Sequence, residues 1–306
     1  DTLGAGVSIG YPISETSSLN YGLTASQDSL SSGTYTVPSI LEFMANNGGD
    51  YTEADFTNVK ASIGWGESTL NRGILPNRGY SQSVTLQTTV PAASDLEFYK
   101  LDYRGQHFTP LSKQTALRLH TELGYGDGFG DTDGLPFYEN YFAGGISSVR
   151  GFRNGSLGPR AVASLAFPNI SSNPNQLPNY DPVTGIYQCN PATGICTDPD
   201  QDDQPFGGNV MITGGVDYLF PLPFIKDQSS LRTTFFVDVG NVFSTNCDDF
   251  QVDCNSPDLG DLAVSTGFGL TWITAMGPLG FAIATPIKEP DNSDPQFFQF
   301  TLGQTF

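Results

Sequence analysis

The chain has 306 residues, including 35 Gly, 22 Phe and 13 Tyr, and its formal net charge is -19. With only 13 Lys and Arg it lacks the clustered cations that neutralise phosphates, which argues against nucleic-acid binding. No stretch approaches the roughly 18 apolar residues of a membrane helix, so a helical inner-membrane protein is excluded. Residue 1 is Asp rather than Met and no signal peptide is visible, so we expect a mature fragment or an excised domain.

Eleven segments alternate apolar and polar residues, as β-strands do when successive side chains point to opposite faces. In chain order they are 2–11, 18–27, 56–69, 78–91, 96–109, 114–126, 207–220, 229–243, 261–274, 278–288 and 297–306. Most approach or exceed the roughly 9–11 residues that a tilted strand needs to cross a bilayer, whereas soluble strands average about five or six. The length favours a transmembrane antiparallel β-barrel over a soluble sandwich, in which the apolar parity would form the core.

The last segment, 297–306, separates its two faces clearly and ends on the final residue. The apolar parity consists of Phe298, Phe300, Leu302 and Phe306. The polar or small parity consists of Gln299, Thr301, Gly303 and Thr305. We interpret this segment as the closing strand of an outer-membrane barrel, with the apolar parity toward lipid and the polar parity toward the lumen.

The links between these segments differ in length, and with two intermediate exceptions the long and short links fall at opposite ends of the strands. Barrels show this asymmetry, with short periplasmic turns and long extracellular loops. The link 127–206 is far longer than an ordinary connection. Its stretch 135–165 is too rich in aromatic and aliphatic residues for disorder. We therefore expect 127–206 to be a long extracellular loop that folds back into the lumen.

The four cysteines form two local pairs, Cys189 with Cys196 and Cys247 with Cys254, each with six residues between. Both pairs lie in polar segments. Zinc binding is the competing interpretation, but no His accompanies either pair and the spacing differs from the short hooks of zinc sites. We expect two loop disulfides that form in an oxidising compartment.

The segment 142–153 reads Phe-Ala-Gly-Gly-Ile-Ser-Ser-Val-Arg-Gly-Phe-Arg, and Leu-Gly-Pro follows at 157–159. It combines aromatic anchors, a glycine pair for a tight bend and an arginine, Arg150. Gly151 permits backbone conformations that are closed to other residues. The guanidinium of Arg150 is a planar fork of donors that can bridge two carboxylates, and a buried arginine needs such partners. A solvated loop arginine is the alternative interpretation.

This segment and the preceding Pro-Phe-Tyr-Glu-Asn at 136–140 resemble the Val-Arg-Gly-Phe loop of the BamA family of outer-membrane assembly barrels and their two-partner-secretion relatives. The resemblance extends along the chain to the closing strand. It implies an all-β fold, a transmembrane antiparallel β-barrel of about 16 strands. Residues 1–306 would supply its C-terminal portion, with about eleven strands and without the periplasmic POTRA domains.

The resemblance also implies a role for particular residues. The loop motif consists of Val149, Arg150, Gly151 and Phe152. In the family the loop enters the lumen and its arginine meets carboxylates of the wall, which by position are Asp217 and Asp238. Both lie on the inward parity of their predicted strands. A lateral gate lies between the first and last strands of the barrel, and its last-strand side corresponds here to Phe300, Leu302, Gly303 and Phe306, with the glycine at a place where the family strand can kink.

The resemblance further implies a non-enzymatic insertase in the outer membrane of a Gram-negative bacterium. Unfolded β-barrel clients would pair with an exposed gate edge, because backbone hydrogen bonds have no water competitor in hydrocarbon. The expected partners are these clients, outer-membrane lipids and lipopolysaccharide, and accessory assembly lipoproteins that act through the POTRA domains. No cofactor is expected.

Two other classes of function are weighed against the insertase. In a passive pore or a polypeptide-secretion translocator, the inward residues Lys100, Arg104 and Arg118 would line a channel, although the long loop opposes free diffusion. A hydrolase would need His107 or His120 as its base, since these are the only two histidines. No nucleophile, base and orienting group can be assembled around them, so we expect no catalytic residue and no metal site.

Overall fold

The computed structural model describes residues 1–33, 36–50, 52–161, 203–222, 225, 230–247, 251–254, 256–291 and 293–303, and the backbone of 188–189 and 196–197. Eleven strands form one antiparallel sheet whose spatial order follows the chain. They are β1 (Thr2–Pro12), β2 (Ser17–Ser31), β3 (Glu53–Ser68), β4 (Gly79–Thr89), β5 (Phe98–Pro110), β6 (Ala116–Gly128), β7 (Val210–Phe220), β8 (Leu231–Phe243), β9 (Ala263–Thr274), β10 (Gly277–Lys288) and β11 (Phe298–Leu302). The eleven predicted strands are confirmed to within a few residues, and 304–306 lie outside the described residues.

The two faces of this sheet differ as the alternating pattern predicts. Along one register line, successive strands present Leu117, Tyr218, Phe235, Phe268, Ile283 and Phe298. From Tyr218 to Phe298 these side chains are between 39% and 58% exposed. The opposite face, here called the inward face, carries polar and small residues together with buried aromatic residues such as Phe56, Phe98 and Phe108. A sandwich would bury the apolar parity between two sheets, so its exposure is the arrangement that a lipid-facing wall requires.

The link between β2 and β3 contains a helix, α1 (Pro38–Asn46), which the strand pattern did not predict. Proline in the first turn costs no backbone hydrogen bond, because the first N–H groups of a helix have no intrahelical acceptor. Leu41 and Met44 are buried, and Met44 packs in a cluster with Phe56 and Phe98. The helix therefore covers the inward face at the end where the long links lie. No helix in the described part of the chain is long and apolar enough to cross a membrane.

At the other end of the sheet, the turn 69–78 between β3 and β4 folds across the inward face. Its Leu70 packs against a buried cluster on β5, β6 and β7 that includes Phe108. The guanidinium of Arg232, on β8, donates a hydrogen bond to the carbonyl of Pro76. The turn thus lies over four neighbouring strands and narrows this end of the space that they enclose.

One of the two predicted disulfides is confirmed. Cys247 and Cys254 are bonded in the link between β8 and β9, with their Cα atoms 5.8 Å apart. At the other pair, the backbones of Cys189 and Cys196 lie opposite each other in a two-residue ladder. Their side chains lie outside the described residues, so that disulfide stays a prediction.

Candidate functional site

Residues 137–160 of the long loop, here called the finger, lie on the inward face. At its root, Glu139 pairs with Lys60 of β3 (Nζ to Oε1, 2.5 Å) and with Lys100 of β5 (Nζ to Oε2, 3.2 Å). Lys100 also donates to the carbonyl of Glu139 at 2.7 Å. The tip of the finger contacts β7 to β11. Because one finger contacts inward residues of β3, of β5 and of the strands β7 to β11, the sheet curves around it.

Arg150 at the finger tip is 2% exposed and lies between Asp217 of β7 and Asp238 of β8, which are 1% and 0% exposed. Its Nε and Nη2 donate to the two oxygens of Asp238 at 2.7 and 2.8 Å, and Nη2 also donates to Asp217 Oδ1 at 2.6 Å. Its backbone N–H donates to Asp238 Oδ2 at 3.0 Å. Burial alone would lower the pKa of Arg150, but Asp238 and Asp217 outweigh it and raise the pKa. The guanidinium therefore stays charged.

Two further residues hold Arg150 in place. The guanidinium carbon lies 3.6 Å from the ring centroid of Phe236 on β8, a cation–π contact that strengthens when it is shielded from water. The hydroxyl of Ser265 on β9 donates to the Arg150 carbonyl. The side chain and the backbone of this arginine are thus both fixed by the wall.

Arg118 and His120 also lie beside the two carboxylates. Arg118 of β6 donates from Nη1 to Asp217 Oδ2 at 3.1 Å, so two guanidiniums face two carboxylates. His120 Nε2 lies 3.8 Å from Asp217 and 3.7 Å from Asp238. The imidazole and the two carboxylates offer ligand atoms within 4.8 Å of one another, a spacing that a metal ion would accept. The Arg150 guanidinium already supplies the positive charge between them, so the arrangement is an ion-pair network that fixes position.

Glycine at position 151 lets the finger approach the wall. Gly151 has φ of +94°, in the left-handed region that favours glycine. A Cβ atom there would lie 3.1 Å from the Cβ of Ala284 and 3.3 Å from that of Ser265. On either side of the tip, Val149 and Phe152 are 0% exposed and belong to one buried apolar cluster. Close backbone approach and apolar packing therefore seat the finger together with the ion pairs.

The finger tip is also bonded to the segment that leads into β11. The N–H of Arg153 donates to the carbonyl of Asp294, and the N–H of Gln296 donates to the carbonyl of Gly151, both at 2.8 Å. The side chain of Gln299, in β11 itself, bonds to the finger backbone as well. The finger therefore connects the Asp-bearing strands β7 and β8 to the end strand of the sheet.

Two of the predicted gate residues, Phe300 and Leu302, lie on the other face of the wall. Phe300 and Leu302 are 53% and 57% exposed among the apolar side chains. Gly303 follows with φ of +88°, and its N–H donates to the carbonyl of Pro278 at 2.8 Å. Phe306 lies outside the described residues. The structure thus brings the loop motif and both acids into one cluster and places the end strand beside it, while the functional roles of these residues stay predictions.

Several of the finger's contacts were missed by sequence reasoning, although each follows from register. Asp217 pairs with Arg118 on one side and with Phe236 on the other, and Ser265 pairs with Asp238. The inward parity of these residues is readable from the alternating pattern. Their adjacency is not, because paired strands can adopt several registers on pattern alone.

Comparison with known proteins gives one family and several relatives. The family model of the Omp85 superfamily domain matches residues 1–306. The outer membrane protein assembly factor BamA of Neisseria meningitidis serogroup B is 28% identical over 324 aligned positions, which cover 100% of this chain and 36% of that protein. The crystal structure of BamA from Haemophilus ducreyi lacking POTRA domains 1-3 superposes with a TM-score of 0.77 and 29% identity, covering 100% of this chain and 54% of that one.

A further solved structure, CdiB from Acinetobacter baumannii, has a TM-score of 0.51 at 12% identity and covers 98% of this chain and 41% of that one. At that identity the likeness concerns the fold alone. The chain spans 36% of the Neisseria protein and 54% of the Haemophilus chain, so it corresponds to a part of each. Since the family model matches throughout, the chain belongs to the Omp85 superfamily and forms part of the wall of an outer-membrane β-barrel.

Proposed function

We propose that the protein containing this chain assembles β-barrel proteins in the outer membrane of a Gram-negative bacterium, with β11 as one edge of a lateral opening. The similarity to BamA over the whole chain, at 28% and 29% identity, supports this function. The observation that carries the proposal is the set of hydrogen bonds that joins the finger to the end strand β11 and to the segment that leads into it. A wall whose end strand is positioned from within is suited to presenting that strand to a partner.

The physical step is strand addition. Within the described residues β11 pairs with β10 and stands at the end of the sheet, and β1 stands at the other end. A backbone N–H or C=O without a partner in hydrocarbon costs several kcal/mol, since no water is there to replace it. An incoming strand supplies the missing partners, so the edge favours strand formation in a client at the membrane. No covalent bond is made or broken, and the protein acts as a template.

The ion pairs of Arg150 with Asp217 and Asp238, here called the clamp, would serve this step by fixing the position of the finger. Arg150 joins the finger to β7 and β8, and the finger joins them to β11. Clients would then meet an edge with a defined direction and register. The partners we propose are unfolded β-barrel clients, outer-membrane lipids and lipopolysaccharide, and accessory lipoproteins that bind periplasmic domains beyond this chain.

The test uses the full-length protein in liposomes and an unfolded β-barrel client with one cysteine in its last strand. Phe300→Cys on β11 and Phe281→Cys on β10 are matched variants, because the two residues are opposite each other in the register. We expect a disulfide adduct with the client at position 300 and little at 281, since β10 has strands on both sides. We also expect Arg150→Ala to slow the appearance of protease-protected client, and Arg153→Ala, whose side chain is 71% exposed, to leave it unchanged.

Equal adducts at the two positions would contradict strand addition at β11. A steady ion current through protein-bearing bilayers with no client insertion would instead indicate a passive pore. Passage of a soluble polypeptide across the liposome would indicate a secretion translocator. The finger and α1 both cover the inward face, which favours assembly over free diffusion.

A further inference from the structure

One inward residue of β11, Gln299, holds the finger by both ends of its side-chain amide. Gly151 donates its N–H to Gln299 Oε1 at 3.1 Å, and Gln299 Nε2 donates to the carbonyl of Phe152 at 2.6 Å. The side chain is 5% exposed, so water offers little replacement for either bond. The side-chain amide of Gln299 therefore supplies the hydrogen-bond donor and acceptor that a neighbouring strand would otherwise supply to the finger backbone.

The chemistry of the contact calls for glutamine. The finger presents one donor and one acceptor from adjacent residues, and an amide of this length offers an acceptor and a donor at every pH, whereas a carboxyl group donates only when it is protonated. Glutamate has nearly the same shape and accepts the N–H of Gly151, but it faces the Phe152 carbonyl with an oxygen. Leucine has similar bulk and makes neither bond.

The finger is anchored independently of Gln299. Arg150 fixes it to Asp217 and Asp238, and Phe152 is 0% exposed in the apolar cluster of the finger. β11, by contrast, has five residues in regular pairing and stands at the edge of the sheet. The anchored finger therefore determines the position of β11, which has a neighbouring strand on one side only.

We propose that Gln299 is the positioning residue through which the seated finger sets the direction of β11 for strand addition. This inference rests on the proposed function for its purpose and on the structure for its mechanism. It concerns a coupling between two parts of the protein, so it is measurable without any client.

The measurement is amide hydrogen exchange of the full-length protein in lipid, for wild type, Gln299→Leu and Gln299→Glu. Gln106→Leu is the matched control, because it removes an inward glutamine whose side chain donates to Ser81 on β4 at 3.0 Å rather than to the finger. We expect exchange in β11 to rise about 30-fold in Gln299→Leu, the effect of two ordinary hydrogen bonds, and at least about fivefold in Gln299→Glu, which loses the bond to the Phe152 carbonyl. Exchange in β7 and β8 should stay at the wild-type rate.

The glutamate variant separates hydrogen bonding from packing. If Gln299 only fills space, Gln299→Glu exchanges like wild type even at about pH 9, where the carboxylate form is favoured, and the proposal is overturned. A second check combines Gln299→Leu with Arg150→Ala. Once the finger is unseated, the loss of Gln299 should add little to β11 exchange, so the two effects are non-additive.

Fully additive effects, or no change in β11 exchange, would refute the coupling. The proposed function fails by a different result, namely wild-type protein that does not insert clients. If wild type inserts clients and the coupling holds, Gln299→Leu should lower the initial rate of client insertion by roughly the same factor as it raises β11 exchange, and Gln106→Leu should leave that rate unchanged.

Discussion

Arg150→Ala removes the charge that the two buried carboxylates share. The wild-type guanidinium makes three side-chain hydrogen bonds of 2.6 to 2.8 Å to Asp238 and Asp217. Without it both acids stay on the inward face, and Arg118 still pairs with Asp217 but not with Asp238 within the described residues. The loss therefore includes the three bonds, the cation–π contact with Phe236 and the cost of leaving charge buried.

Breaking a buried ion pair by removing one partner costs about 3–5 kcal/mol. Each 1.4 kcal/mol is a factor of about ten in an equilibrium constant. If the strands stay formed, this free energy appears as easier opening of the finger, by about a hundredfold to a few thousandfold. The amides that should report it are those of Gly145, Gly151 and Arg153, which donate within the finger, to β11 and to the link before β11.

Hydrogen exchange and limited proteolysis of the full-length protein in lipid measure this opening. Arg153→Ala is the control, because that side chain is 71% exposed and its nearest carboxylate oxygen, on Asp294, is 3.9 Å away. Such an exposed pair contributes about 0–1 kcal/mol, so exchange should change less than about fivefold. Arg150→Lys should fall between the two, because lysine keeps the charge and loses the planar fork. The clamp is refuted if finger amides exchange alike in Arg150→Ala and Arg153→Ala.

Two other predictions concern the inward face. Asp238→Asn should open the finger more than Asp217→Asn, because Asp238 accepts three hydrogen bonds from Arg150 and Asp217 accepts one; equal finger exchange in the two variants would contradict this. Arg232→Ala should release the turn that it holds through the Pro76 carbonyl and raise ion conductance in planar bilayers, and unchanged conductance would show that this turn does not narrow the path.

The strands and their faces could be predicted because the alternation of apolar and polar residues is visible within each short segment of the sequence. The partnership of Arg150 with two acids came from a family resemblance together with parity. In sequence Arg150 is 67 residues from Asp217 and 88 from Asp238. Gln299 lies 148 residues from Gly151, and no local pattern marks which polar residue of an inward parity will meet an inserted loop.

The helix α1 shows a different limit. Its first residue is Pro38, but the capping position before it makes no side-chain hydrogen bond, and no acidic residue lies in its first turn. A helix this short depends on tertiary contacts more than on propensity. Those contacts are with Phe56 and Phe98 on strands and with Phe137 at the finger root, through Met44 and Phe43. Its stability is therefore a property of the folded wall.

From the burial of Asp217 and Asp238 we expect the seating of the finger to be close to all-or-none. At 1% and 0% exposure, these carboxylates cannot trade Arg150 gradually for water, because a half-withdrawn guanidinium leaves charge that is neither paired nor hydrated. An apolar contact in the same place would stabilise as well and would tolerate small displacements. A buried ion pair makes small displacements of the finger costly in free energy. Because Gln299 joins the finger to β11, displacements of β11 carry the same cost. The network therefore contributes a fixed direction of the end strand more than it contributes stability.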